Sequence, residues 1–276
     1  MKAWSTCNLT HLSLQTLKDP FNAQFTTNLR SLKTCLNHPP TARRRSGGRI
    51  RLPASFDNFQ GAKKCLDRPI QICKASPAIV LKFIRLKMKR VLDLLPMFPN
   101  MKVIHLVRDP RGMFNSRDKI TSKTHLISEN KVKKYCKKVH ENMSVSKFIH
   151  KQSPNQFKFL VYEDLAETPF KTARAILTFA GLKMTSKLVT FLKRMTSSSR
   201  DSCQFCTQRK NSSLTASKWR KEIKMTDAIN IYNACAETMD ILGYLNVTSK
   251  RQLSDMSFYT RTRHSIVDKL VKDNRF

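Results

Sequence analysis

The chain has 276 residues, with 52 Lys+Arg against 19 Asp+Glu, a formal charge of +33 and 40% hydrophobic residues. A chain of this length and composition can bury roughly 70% of its unfolded surface, which excludes disorder throughout. The charge surplus calls for an anionic partner, without choosing among nucleic acid, anionic lipid, acidic glycan and phosphorylated nucleotide. No apolar run reaches the roughly 18 to 20 residues that cross a bilayer. The best candidate, 79–95, is broken by Lys82, Arg85, Lys87, Lys89, Arg90 and Asp93, and residues 1–17 lack the unbroken apolar stretch of a signal peptide.

Residues 1–64 show no sustained periodicity and contain His38-Pro-Pro and the run Arg43-Arg-Arg-Ser-Gly-Gly-Arg-Ile-Arg51, so they read as a basic, loop-rich or poorly ordered arm. From Cys65 the pattern changes. Residues 69–74 alternate like a short strand, and 77–95 carry Val80, Leu81, Ile84, Met88, Val91, Leu92 and Leu95 at helical spacing, stopped by Pro96 and Pro99. Residues 101–107 form a nearly continuous apolar run, the strand type of a parallel sheet covered on both faces. Residues 131–151 form a helix with one face crowded by Lys131, Lys133, Lys134, Lys137, Lys138, Lys147 and Lys151. A further buried strand follows at 157–162, then a helix opened by Pro169 and closed by Gly181. A short helix runs to about Met195, a Ser-rich loop spans 196–217, and two helical stretches occupy 218–242. Strands alternating with helices predict an α/β fold with a parallel sheet and right-handed crossovers. The expected organisation is an arm at 1–64, an α/β domain at 65–248 and a basic, weakly patterned tail at 249–276.

Eight cysteines are scattered along the chain, and only Cys203-Gln-Phe-Cys206 has metal-ligand spacing. No second pair or nearby histidine completes a zinc site, so disulfides or free thiols are expected and no metal. The sequons at Asn8, Asn142, Asn211 and Asn246 lean toward a secretory compartment.

The stretch that carries chemistry is Val103-Ile-His-Leu-Val-Arg-Asp-Pro-Arg-Gly-Met-Phe-Asn-Ser-Arg117. Arg108 stands at the carboxyl end of a strand, where ligands of open parallel sheets gather. Asp109 is a good N-cap and Pro110 a preferred first helical residue, so the helix start is fixed. Ser116 returns to the face of Asp109 two turns on, which lets Arg108 and Ser116 close on one anion. The same residues also read as a well-capped turn with an exposed arginine.

This element after a hydrophobic strand resembles the 3'-phosphate-binding element of sulfotransferases, specifically the Golgi carbohydrate sulfotransferases acting on Gal, GlcNAc or GalNAc. Leu160-Val-Tyr-Glu-Asp-Leu165, Thr168-Pro169, Phe179-Ala-Gly-Leu182, Ser217-Lys-Trp-Arg220 and Cys235-Ala-Glu-Thr-Met-Asp-Ile-Leu-Gly-Tyr244 resemble further family segments, in the family's order. The resemblance implies a three-layer, P-loop-NTPase-like parallel sheet flanked by helices. It implies 3'-phosphoadenosine 5'-phosphosulfate as co-substrate, a carbohydrate hydroxyl as acceptor on an acidic or neutral glycan, and residence in the Golgi. Arg108 and Ser116 would take the 3'-phosphate with Arg111 beside them, and Arg209, Lys210, Trp219 and Arg220 would contribute from a later loop. Trp219 reads more readily as a core anchor for the last helices.

The family's second element, an Arg-x-Gly-Ser-Ser-like loop after the first strand that holds the 5'-phosphosulfate, has no convincing copy. Arg45-Ser-Gly-Gly48 follows no hydrophobic strand and lacks the paired hydroxyls. The expectation is therefore a domain lacking part of its N-terminal portion. No catalytic base is assigned, since His105 sits inside a strand, Glu163 and Asp164 follow a strand end, and His140 and Glu141 lie on the Lys-rich helix. Two alternatives stand beside the enzyme: an inactive or truncated nucleotide-binding relative, and a basic nucleic-acid-binding protein. No zinc finger, helix-turn-helix or aromatic single-strand platform supports the latter, and no nucleic-acid partner is expected.

Overall fold

A computed structural model describes residues 2–12, 32, 34–35, 64–84, 86–120, 127–201 and 207–262. The chain divides into two units, Met1–Ile84 and Arg85–Phe276. The basic run at 43–51, the Arg45-Ser-Gly-Gly48 segment, Cys203 and Cys206 lie outside the described residues.

In the first unit, Cys7 is joined to Cys73 and Cys35 to Cys65. Residues 69–74, expected to be a strand, lie within helix α1 (Asp67–Ala75). Six alternating residues cannot be told from two helical turns by periodicity alone, and Pro69 is tolerated in a first turn, where its missing N–H costs nothing. The helix predicted over 77–95 is shortened for a related reason. Val80 is 85% and Ile84 62% exposed, so the apolar spacing finds no core there, and the helix begins only at α2 (Met88–Leu94), where Met88 and Val91 are buried.

The second unit is α/β. Strand β1 (Val103–Val107) pairs in parallel with β2 (Phe157–Val161), in the register Val103 to Phe157 through Val107 to Val161. Between them run α3 (Pro110–Ile120) and α4 (Glu129–Gln152), the latter a 24-residue helix. Helix α4 buries Val132, Cys136, Met143, Ser146, Ile149 and His150. His105 meets Ser146 Oγ at 2.8 Å, and His150 lies edge-on to Phe157, so α4 covers the sheet face formed by alternate residues of both strands. The opposite face is not sealed as its apolar sequence led one to expect: Ile104 is 38% and Leu106 53% exposed.

After β2 come α5 (Tyr162–Glu167), α6 (Pro169–Phe179), α7 (Ser186–Thr196), α8 (Ser212–Ser217), α9 (Met225–Ala234), α10 (Ala236–Leu242) and α11 (Lys250–Ser254). Helix α6 opens on Pro169 as expected, and Gly181 at φ 71° follows its end, with the Leu182 amide returning to the Leu177 carbonyl. Phe179 of α6 carries the Lys102 and Lys158 ammonium groups at 5.4 and 5.3 Å from its ring centre, so helices flank the sheet from both sides. The Ser-rich segment is not wholly loop. Asn211 accepts the Leu214 amide at 2.9 Å and so starts α8. Cys136 of α4 is joined to Cys235, between α9 and α10.

Candidate functional site

Everything at the end of β1 follows from three residues. Asp109 Oδ1 accepts the Arg111 amide at 2.9 Å, Pro110 stands first in α3, and the Met113 amide returns to the Asp109 carbonyl at 3.0 Å. This is the N-cap that the sequence predicts, and it sets Arg108 as the last residue before the helix.

Arg108 is half-buried, and its guanidinium lies 4.4 Å from the centre of the Tyr162 ring, the first residue after β2. Its Nε is buried with no hydrogen-bond partner. A buried, unpaired guanidinium nitrogen costs on the order of 1–3 kcal/mol, more for a charged group, so an anion bound there would recover a lost interaction. Stacking on tyrosine holds the planar fork in one orientation, which favours bidentate recognition of phosphate. Ser116 is exposed on α3, two turns beyond Asp109. On α4, the buried Tyr135 phenol is raised above its ordinary range first by burial, while the charges of Arg117 and Arg108 pull it down. The two arginines therefore share a neighbourhood with one phenol.

Arg111 does not join this site. It is fully buried, and Nε and Nη2 grip Asp109 at 3.0 and 2.8 Å while Nη1 donates to the Leu245 carbonyl at 2.8 Å. Its guanidinium also lies 5.0 Å from the Trp219 ring centre. With its donors spent on Asp109 and Leu245, Arg111 serves as a core tie between α3 and the chain after α10. Arg220 is likewise withdrawn from the expected set. Its Nε and Nη1 donate to the Leu253 and Phe258 carbonyls at 3.1 and 3.0 Å, and Nη2 to those of Gln252 and Asp255, which fastens the start of the expected tail. Trp219 is 4% exposed and acts as the core anchor that the sequence favoured. Arg209 and Lys210 lie on a surface turn, where the Arg209 amide donates to Met195 and the Lys210 amide to Asp201 Oδ1 at 2.8 Å.

Tyr162, which the sequence reading did not single out, and Glu163, which it weighed only as a base, stand close to the site. Tyr162 supplies the stacking face, and Glu163 accepts the Asp109 amide at 3.2 Å on Oε1 and the Tyr244 hydroxyl at 2.8 Å on Oε2. Burial, then the charge of Asp109, pushes the Glu163 carboxyl up to about 7. Their signal was present in Leu160-Val-Tyr-Glu-Asp, directly after a strand that pairs with β1, since strand ends of one parallel sheet converge. Among the other basic-catalyst candidates, His105 is turned to Ser146 and Phe159, and burial lowers it to about 4. Asp164 pairs with Arg261 at 3.0 Å, and His140 lies 3.5 Å from Glu237. Among the described residues, no group of three or more His, Cys, Asp or Glu is placed to hold a metal, and no helix is long and apolar enough to cross a membrane.

Arg108 thus stands at a strand end of a parallel sheet with an unsatisfied nitrogen, and comparison with known proteins shows what the chain is similar to. Residues 54–186 match the family model described as "Sulfotransferase family". The chain is similar to carbohydrate sulfotransferase 4 of Mus musculus, 26% identical over 216 residues, covering 69% of this chain and 56% of the relative. It is similar also to carbohydrate sulfotransferase 2 of Homo sapiens, 29% identical over 243 residues (71% and 46%), and to carbohydrate sulfotransferase 3 of Mus musculus, 26% over 205 residues (68% and 43%). The chain thus spans about half the length of the curated relatives it matches. No solved structure matches it.

Proposed function

We propose that the chain is a carbohydrate sulfotransferase whose Arg108 site takes the 3'-phosphate of 3'-phosphoadenosine 5'-phosphosulfate. The observation that carries this reading is the buried, partnerless Nε of Arg108 at the carboxyl end of β1, in a chain whose relatives are named carbohydrate sulfotransferases. The residues fit the group: Arg108 offers a charged, oriented fork, and Ser116 an exposed hydroxyl two turns into the helix that follows it. When bound, the nucleotide supplies the activated sulfuryl group for transfer to a sugar hydroxyl. The chain's part is to fix the phosphate end through Arg108, with Asp109 and Glu163 fixing the turn that carries it.

A secretory compartment, the Golgi by family, is supported by the three disulfides among the described residues, which persist in oxidising surroundings. Asn8, Asn211 and Asn246 are exposed at their sequons, whereas Asn142 is spent on the Met88 amide inside α4. A second reading, nucleotide binding without turnover, is favoured by the lack of a convincing Arg-x-Gly-Ser-Ser-like loop in the sequence.

Arg108→Ala is expected to weaken binding to adenosine 3',5'-bisphosphate by about tenfold to a hundredfold, the worth of one or two charged hydrogen bonds. Ser116→Ala should weaken it less, and Lys133→Ala, at the exposed Lys133–Glu129 pair of α4, not at all. Isothermal titration reads all three, and equal affinities would overturn the site. Transfer of radiolabelled sulfate to chondroitin, keratan or galactosides separates the two readings: binding with no transfer selects the non-catalytic one.

A further inference from the structure

Four asparagines begin an Asn-x-Ser/Thr triplet, and the fold treats them differently. Asn142 lies half-buried inside α4 with its Oδ1 accepting the Met88 amide at 2.9 Å, so a sugar on its nitrogen would part α4 from the start of α2. Asn8 and Asn211 are exposed, but each runs straight into a helix. Thr10 Oγ1 donates to Asn8 Oδ1 at 2.6 Å within the short turn Leu9–His11, and Asn211 Oδ1 caps α8. Asn246 alone of the four is followed by irregular chain, which continues to the helix at Lys250.

The backbone on both sides of Asn246 is pinned. Tyr244 is buried with its hydroxyl on Glu163 Oε2, and the Leu245 carbonyl accepts Arg111 Nη1 at 2.8 Å. Beyond it Val247 is buried, and the Thr248 amide donates to Gln252 Oε1 at 2.9 Å. Asn246 itself is exposed, on a segment that its neighbours hold in place. A second observation concerns the ring opposite. Tyr244 forms an antiparallel bridge with Arg261, flanked by the Leu245 amide on the Thr260 carbonyl and the Thr262 amide on the Gly243 carbonyl, both at 2.8 Å. Antiparallel partners advance in opposite directions, so two residues past the bridge Asn246 comes level with Tyr259. Tyr259 is 78% exposed, more than any other aromatic ring among the described residues.

Resting on the secretory reading above, we infer that Asn246 is a site of N-linked glycosylation and that the Tyr259 ring receives the first sugar. The donor is an oligosaccharide on a lipid pyrophosphate carrier. Asn246 Nδ2 forms a bond to the anomeric carbon, and the bond from that carbon to the carrier oxygen breaks. The lipid pyrophosphate leaves with the electron pair, and one Nδ2 proton passes to a base of the transferring enzyme. Thr248 supplies the hydroxyl of the triplet, and in the folded chain that hydroxyl rests on Gln252 Oε1 at 2.9 Å. Once attached, the C–H face of the first sugar covers the exposed ring, which takes apolar surface out of water without disturbing the core. The bulky polar remainder keeps this face of the chain in solvent.

The test uses the full chain from cultured mammalian cells. Enzymatic glycan release in oxygen-18 water converts each glycosylated asparagine to labelled aspartate, and peptide mass spectrometry should find the label at Asn246 and none at Asn142. Non-reducing mapping of the Cys136–Cys235 pair on the same sample reports the compartment independently. An intact disulfide with unlabelled Asn246 would overturn the inference and leave the secretory reading standing. Reduced cysteines with no label at any site would overturn both. For the ring, melting is compared before and after glycan release. The wild type should lose about 2 °C more than Tyr259→Ala, the effect of one modest contact in a domain of this size. Glycans elsewhere, and the aspartate left at 246, are common to both proteins and cancel in that difference. Equal losses would remove Tyr259 from the site. Asn246→Gln should keep the wild-type affinity for adenosine 3',5'-bisphosphate, so the nucleotide site is read separately. A loss of affinity in this variant would show that position 246 serves the fold or the nucleotide site and not a glycan.

Discussion

At the scale of single residues, a histidine inside β1 and a carboxyl just after β2 shift in opposite senses. His105, packed between Ser146 and Phe159, falls from an ordinary 6.5 to about 4 because burial penalises its charged form. Between those values the unfolded chain takes a proton that the native ring refuses, so stability is lost as pH falls through that window. Glu163 does the reverse. Its rise from 4.5 to about 7 means that the native state holds a proton the unfolded chain has released, so stability is lost as pH rises through 4.5 to 7. The windows overlap between about 4.5 and 6.5, where each slope approaches roughly 1.4 kcal/mol per pH unit with opposite sign. Urea unfolding of the wild type should therefore show little contribution from this pair across pH 5 to 6.5. Glu163→Gln should expose the histidine slope, with stability rising with pH, and His105→Gln the carboxyl slope, with stability falling. Parallel pH profiles in all three proteins would show that neither group carries its shift.

At the scale of elements, the start of α3 shows what a sequence discloses and what it hides. The N-cap and the helix origin were legible at Asp109-Pro110 because capping is local chemistry, decided within four residues. The inward turn of Arg111 was not, because its acceptor at Leu245 and its ring neighbour Trp219 lie more than a hundred residues away. The same division explains the strand expected at 69–74, which is helical, and the missing helical turns before Met88. In both, short-range periodicity was real and the tertiary partner that would decide it was absent from the local pattern. One residue further along α3, packing can be tested. A Cβ added to Gly112 would lie 2.8 Å from Trp219 Cδ1 and 3.1 Å from its Nε1. Alanine in a helix interior gains about 1 kcal/mol over glycine, whereas overpacking a fixed core costs typically 1–3 kcal/mol. Trp219 is buried with Arg111 beside its ring, so it has little freedom to yield. Gly112→Ala is expected to destabilise by about 1 kcal/mol net, read as a lower urea midpoint with unchanged slope. A higher midpoint would show that the indole moves aside.

At the scale of the whole molecule, the lysines of α4 carry part of the charge excess, while the site rests on one arginine and its neighbours. The site's frame is the β1–α3 junction tied to the end of β2, and the longest helix is fastened separately. The Cys136–Cys235 bond joins α4 to the α9–α10 junction across 99 residues, beside the bond from Thr238 Oγ1 to the Cys136 carbonyl at 3.3 Å. Closing a loop of about a hundred residues removes unfolded-chain entropy worth some 4 to 5 kcal/mol in the simplest model, and measured losses run from about 2 to 5 kcal/mol. The double variant Cys136→Ala/Cys235→Ala should lose stability in that range. Its bisphosphate affinity, measured where the variant remains folded, should stay within about twofold of the wild type. The reason is positional: the stack of Arg108 on Tyr162, the Asp109 cap and the Glu163 bond are made by β1, α3 and the first residues of α5, and the disulfide touches none of them. Retained stability would mean that α4 is held by its buried face alone. Lost affinity in a folded variant would mean that α4, through Tyr135, belongs to the anion site and not only to the core beneath it.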